Sequence, residues 1–119
     1  MNVTKKFLRY HKLKDTDISI ALVGDRTIRK LNWRYRGIDR VTDVLAFPGD
    51  RNRGGEIIID YAQIKRQAGQ FSPDTRTELH FILIHGLLHL SGYRDDTGRG
   101  AERMRRLGEE FMGMIGQKR

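Results

Sequence analysis

Cysteine is absent from this chain of 119 residues. That absence excludes disulfides, thiolate metal ligation and a cysteine nucleophile. Long apolar runs are missing too. The longest, around Phe81 to Leu90, is broken by histidines, and it falls short of the roughly 20 apolar residues that span a bilayer. The opening Met1-Asn-Val-Thr-Lys-Lys lacks the apolar core of a signal peptide. No internal repeat, low-complexity tract or interdomain linker interrupts the chain. These absences lead to the expectation of one cytoplasmic domain over residues 1–119, with a single core and no membrane partner. Negative charge is scarce as well. Fifteen acidic residues stand against 23 basic ones, for a net charge of +8. An excess of this size suits a polyanionic partner such as RNA. Arg26, Arg29, Lys30, Arg34, Arg36 and Arg40 crowd one segment. Lys65, Arg66, Arg103, Arg105, Arg106, Lys118 and Arg119 add later positives. Phosphate neutralisation by such side chains gives affinity without sequence information.

What the chain does contain is His85-Gly-Leu-Leu-His89-Leu-Ser-Gly92-Tyr-Arg-Asp95. Four residues on a helix turn through about 400°, so His85 and His89 project from one face. Two imidazoles stacked this way form a metal clamp. The apolar flanks, Phe81 to Ile84 and Leu87 to Leu90, predict burial nearly all round this helix. A buried imidazole without a partner costs about 1–3 kcal/mol. A shared metal satisfies both rings; the alternative is a pair of hydrogen-bonded core histidines. Gly92 can end the helix in a left-handed turn, and Asp95 then returns to the same point. Three protein ligands and an open position describe a catalytic metal site.

The same stretch resembles the signature of the YbeY family of endoribonucleases, His-Gly-x-Leu-His-Leu-x-Gly-Tyr-Asp-His. His85, Gly86, Leu88, His89, Leu90, Gly92 and Tyr93 match it. Leu31-Asn32-Trp-Arg-Tyr35-Arg36-Gly37 resembles the family's Leu-Asn-x-x-Tyr-Arg-Gly. Thr42-Asp43-Val44-Leu45-Ala46-Phe47-Pro48 resembles its Thr-Asp-Val-Leu-Ser-Phe-Pro, and Gly55-Glu56-Ile57 its Gly-Asp-Ile. The resemblance implies a metal-dependent, single-strand-specific endoribonuclease acting in 16S ribosomal RNA 3′-end maturation and ribosome quality control. Its implied partners are ribosomal RNA and the small ribosomal subunit. It also implies a role in activity for Arg36, which matches the arginine of the Tyr-Arg-Gly block. Two positions depart from the pattern. The family's third ligand is histidine, and here it is Asp95; the family aspartate before it is Arg94. One Zn²⁺ is the expected ion, and an oxygen ligand widens the choice toward iron, nickel or manganese. Asp96 is the alternative ligand if the turn is offset by one residue. The chain also looks short at its N-terminus relative to the family.

Gly86 stands where a zincin protease carries its glutamate general base. A glycine inside a helix costs roughly 1 kcal/mol against alanine. Close approach by the sheet or by substrate would explain it. The expected chemistry therefore rests on the metal. It either lowers the pKa of a water to roughly 7 or polarises a phosphoryl oxygen while a base activates the ribose 2′-OH. The planar fork of Arg36 suits a phosphate and charge growing in the transition state. Asp43 either orients a ligating histidine or serves structure. His80, about 140° around the helix from His85, should not join the clamp. His11 is expected on the surface, Tyr93 beside the metal turn, and Asn32 bonded to backbone. Two other functions stay open: a ribosome-associated binding factor with a structural metal, and a zincin-like metallopeptidase.

The patterning predicts the α+β class: a single small mixed sheet packed against helices, with the HxxxH helix buried at the centre. Helices are expected from Val3 to Leu13 with Phe7, Leu8 and Tyr10 inward, from Arg26 to about Tyr35 with Asp25 as N-cap, from Tyr61 to Ala68, from Thr75 to Leu90, and from Gly98 to Met114. The last should bury Met104, Leu107, Phe111 and Met114. Strands are expected over Asp17–Val23, Thr42–Phe47 and Glu56–Ile59, the latter two pairing as an antiparallel hairpin.

Overall fold

The computed structural model describes residues 3–10, 17–50 and 54–119. Three strands form one mixed sheet in the order β1-β3-β2, where β1 is Ile18–Val23, β2 is Val44–Pro48 and β3 is Gly55–Asp60. The expected antiparallel pairing of β2 with β3 is present, with Leu45 opposite Ile58. The partner of β1 is β3, in parallel, with Ile20 opposite Ile57 and Leu22 opposite Ile59. A parallel pair needs a crossover. Helix α2 (Asp25–Arg36) leaves β1, and β2 follows before the chain enters β3.

Helix α4 (Thr75–Leu90) packs over β2 and β3. It is flanked by α1 (Val3–Tyr10), α3 (Tyr61–Phe71) and α5 (Gly98–Met114). Its apolar side chains point in several directions because neighbours surround it. Phe81, Ile82, Ile84, Leu87 and Leu88 are all buried, and Arg76 is its one exposed residue. The core continues into Phe7 of α1, Ile57 and Ile59 of β3, Ile64 of α3, and Met104, Phe111 and Met112 of α5. Phe7 meets Phe111 edge to face at 5.4 Å. Ile20 and Leu22 on β1 lie beyond this cover and remain exposed.

Four boundary details depart from expectation. Asp25 does not cap α2; Gly24 occupies that position, and the Asp25 carboxylate accepts from Arg66 instead. Helix α3 runs through Gly69 to Phe71, held by buried Ile64 and Ala68. Helix α5 buries Gly108 against Phe81, and Met114 is exposed. Leu8 is only partly buried on α1, while the Tyr10 side chain, His11 and Leu13 lie outside the described residues. No helix among the described residues is long and apolar enough to cross a membrane.

Candidate metal centre

Helix α4 starts on a defined cap, with the Asp74 carboxylate accepting from Thr77 N at 2.7 Å. It ends at Gly92, whose φ of 99° suits a residue without Cβ. Gly92 N donates to His89 O at 3.0 Å and Tyr93 N to Leu88 O at 3.1 Å. This closure satisfies carbonyls of the last turn and reverses the chain. Asp95 thereby arrives beside the two histidines. Its Oδ2 lies 3.3 Å from His85 Nε2 and 3.2 Å from His89 Nε2. The two imidazoles sit 4.8 Å apart, nearly perpendicular. One donor atom from each residue falls within 4.8 Å of the others, so the group could hold a metal ion.

Whether the donors suit zinc is testable on spacing. A tetrahedral ion with ligands at about 2.0–2.2 Å spaces its donors by roughly 3.3–3.6 Å along each edge. The two nitrogen-to-oxygen separations, 3.3 and 3.2 Å, are close to that edge. The side chains are 22%, 29% and 42% exposed for His85, His89 and Asp95, leaving a route to solvent. Burial pushes the His85 imidazole below its ordinary value, and repulsion from His89 adds to the shift. Burial alone would raise the Asp95 carboxyl, but His89 and His85 outweigh it and hold it below the ordinary range. Neutral imidazole and ionised carboxylate are the ligand forms a metal requires.

Around these three residues opens a cavity of about 560 Å³. Arg36 at the C-terminal end of α2 lines it, as do Tyr35, Asp43 and Phe47. Tyr35 stacks edge to face on Phe47 at 5.0 Å, joining α2 to β2. Gly37 ends α2 in the left-handed region at φ 70°, with its N–H on Trp33 O. That stop sets Arg36 beside the cavity. The negative charge of Asp43 favours the protonated form of His85.

The remaining candidates separate cleanly. Asp96 does not join the group; its carboxylate pairs with Arg94 at 3.2 Å. His80 is engaged elsewhere, with Nδ1 2.8 Å from Gln117 Oε1. Asn32 is buried and donates to Arg40 O at 3.0 Å. Tyr93 packs at the edge of the core under Arg103. Gly86 faces the sheet. A Cβ there would lie 3.1 Å from Ile57 Cγ2 and 3.4 Å from Val44 Cγ2. Close packing therefore accounts for the glycine, and a zincin glutamate would have to displace the sheet.

Several positives counted toward RNA are committed internally. Arg66 pairs with Asp25, and Arg105 with Glu102 and Glu109. Arg119 is mostly buried and binds Glu78 through Nε and Nη2, both at 3.0 Å. Glu78 was not a candidate in the sequence. Its carboxylate also accepts from Gln67 at 2.9 Å and Ser72 at 2.6 Å. Its only sequence signal is that it is the one acidic residue of α4.

The endoribonuclease YbeY family model matches residues 1–116. A Moorella thermoacetica protein named endoribonuclease YbeY is 37% identical over an alignment of 119 positions, which covers 88% of this chain and 76% of that protein. A Myxococcus xanthus protein of the same name is 38% identical over an alignment of 120 positions, covering 94% of this chain but 41% of the longer relative. A solution structure from Thermotoga maritima superimposes with a TM-score of 0.62 at 31% identity, over 96% of this chain and 81% of that one.

Proposed function

We infer function from one premise: the chain belongs to the endoribonuclease YbeY family. We propose that it is a metal-dependent hydrolase that cleaves single-stranded RNA, with His85, His89 and Asp95 as ligands to one Zn²⁺ or a related divalent ion. The observation that carries this reading is the meeting of His85, His89 and Asp95 in a cavity that Arg36 also lines. The substrate follows as ribosomal RNA in the small subunit, with action at its 3′ end during maturation and quality control in the cytoplasm. The family resemblance and the excess of basic residues support that choice.

A bound divalent ion supplies Lewis acidity at a phosphodiester. The protein's own groups do the rest. His85 and His89 present their Nε2 atoms from one buried helix, so little reorganisation is needed on binding. Asp95 adds negative charge and lowers selectivity for zinc relative to three imidazoles. Arg36 orients a non-bridging phosphate oxygen and stabilises charge that grows as the phosphodiester opens. Asp43 acts on His85 through its negative charge, which favours the protonated ring.

The test is cleavage of a single-stranded oligoribonucleotide by the purified protein. Chelator should abolish it and added Zn²⁺ restore it. Arg36→Ala should lower kcat more than it raises KM. Chelator-resistant cleavage would defeat the metal assignment. Binding to small-subunit particles without any cleavage, with or without metal, would establish a binding factor instead.

A further inference from the structure

Helix α2 carries a second surface that the metal chemistry does not use. A cavity of about 420 Å³ is lined by Asp25, Arg26, Arg29, Lys30, Trp33 and Asp39. Positions 26, 29, 30 and 33 follow the i, i+3, i+4, i+7 spacing of one helix face. Trp33 is the one tryptophan of the chain. It is 61% exposed, and its indole makes no hydrogen bond or ring contact among the described residues. Both acids in the lining are already paired. Asp39 accepts both Nε and Nη2 of Arg29, and Asp25 binds Arg66. Arg26 and Lys30 are left with no acidic partner among the described residues.

An exposed indole offers a broad flat face on which an occupant can pack. The surroundings decide which one. Protein interfaces have an apolar centre depleted of charge. Here Trp33 is the only apolar side chain in the lining, and cations flank it. An aromatic ring among uncompensated cations is the combination that binds unpaired nucleic acid, with the base on the ring and phosphates on the cations. Position adds to this. Trp33 lies one helical turn before Arg36, about 4.5 Å along the axis. Arg36 lines the metal cavity. One strand could touch both.

We propose that Trp33, with Arg26 and Lys30, is a secondary subsite that stacks one unpaired base of an RNA strand whose neighbouring phosphodiester lies at the metal cavity. This rests on the endoribonuclease reading above and adds to it the strand's path along α2. It also makes the surface selective for single-stranded over duplex RNA, because a paired base has no free face to offer the indole.

The single tryptophan makes the test direct. A 12-nucleotide 2′-O-methyl oligouridylate is titrated into the protein while tryptophan emission and oligonucleotide anisotropy are both followed. Saturable quenching that tracks the anisotropy is expected, with little response to a duplex of equal length. Trp33→Ala should weaken binding about five- to hundred-fold, and Trp33→Phe should recover most of the loss. In cleavage of the unmodified 12-mer, the Trp33→Ala loss should fall on KM rather than kcat. Replacing both Arg26 and Lys30 by alanine should flatten the plot of log affinity against log salt by about 1.4, at roughly 0.7 per phosphate contact on a single strand. Emission unmoved while anisotropy saturates, or a Trp33→Ala KM equal to that of the parent, would overturn the subsite and leave the nuclease reading standing. No binding and no cleavage by the parent protein would overturn both.

Discussion

The two ends of α4 each carry a polar cluster, and they are built to opposite specifications. At the N-terminal end Glu78 has no exposed surface, and Gln67, Ser72 and both forks of Arg119 satisfy its carboxylate. At the C-terminal end His85 and His89 keep about a quarter of their surface, and among the described residues only Asp95 bonds to either ring. The first cluster is closed by protein groups. The second leaves donor capacity pointing at one place. On a helix buried nearly all round, an incompletely satisfied polar group is costly unless something outside the chain completes it. That difference separates a structural polar site from a functional one more sharply than exposure alone.

The largest effect expected from breaking this contrast is chemical. His89→Ala should reduce RNA cleavage by at least about a thousand-fold, because the proposed centre would lose one of its three ligands and with it the metal. Circular dichroism should show the helices intact. Cleavage within ten-fold of the parent would remove His89 from the centre.

At the other end the effect should be on stability, with no comparable loss of chemistry. Glu78→Ala should destabilise the fold by about 3–5 kcal/mol, since it strands the mostly buried Arg119 without its partner. Urea denaturation measures this, and a loss under 1 kcal/mol would mean that the cluster is dispensable.

Metal should sharpen the contrast from the outside. Zn²⁺ at a hundred times its Kd should add about 2.7 kcal/mol to the stability of the parent. It should add the same to Glu78→Gln and nothing to His89→Ala. Thermal melts with and without chelator report the difference.

The smallest effect concerns Asp60, a buried carboxylate between these extremes. Its Oδ1 caps α3 through Ala62 N, while Oδ2 has no hydrogen-bond partner. Arg66 Nη2 stands 4.0 Å from that oxygen. Burial, with the adjacent Asp25 carboxyl, pushes Asp60 up to about 6 from 3.8. A folded-state value above the unfolded one favours the protonated fold. The contribution is therefore complete below about pH 3.8 and is lost as pH rises through about 6. Asp25 shifts the opposite way, down to about 2, chiefly through Arg66, so its contribution is lost only as pH falls through that value. Asp60 should add a downward slope to the melting temperature between pH 4 and pH 6, against the opposite slopes of Glu78 and His85, whose values are lowered. Asp60→Asn keeps a capping side chain and should flatten that slope; an unchanged slope would assign the titration to another group.

Legibility in the sequence followed distance along the chain. The HxxxH helix and its Gly92 stop were readable because periodicity and capping are local. The β2–β3 pairing was readable for the same reason. Asp95 was favoured over Asp96 by its match to the family's third-ligand position, but the turn geometry and the Arg94 that pairs with Asp96 were not readable. Asp25 looked like a cap because its partner Arg66 lies 41 residues downstream. Arg119 looked like a phosphate contact because its partner Glu78 is equally remote. Charge composition counts such residues as free, and only the fold shows which are spoken for. The parallel pairing of β1 with β3 likewise leaves no mark in either strand's own pattern.

That separation in sequence also orders assembly in time. His85 and Asp95 are ten positions apart, on one helix and the turn that ends it. Loops of that length close in about 10–100 ns, faster than the roughly 0.1–1 μs of helix formation. The three donors can therefore meet as α4 forms, before the sheet has chosen its neighbours. The Glu78–Arg119 clasp joins groups 41 positions apart, across the whole of α5. It carries a larger loop-closure entropy and closes late. A metal added during refolding should therefore accelerate an early step, and loss of the clasp should chiefly speed unfolding.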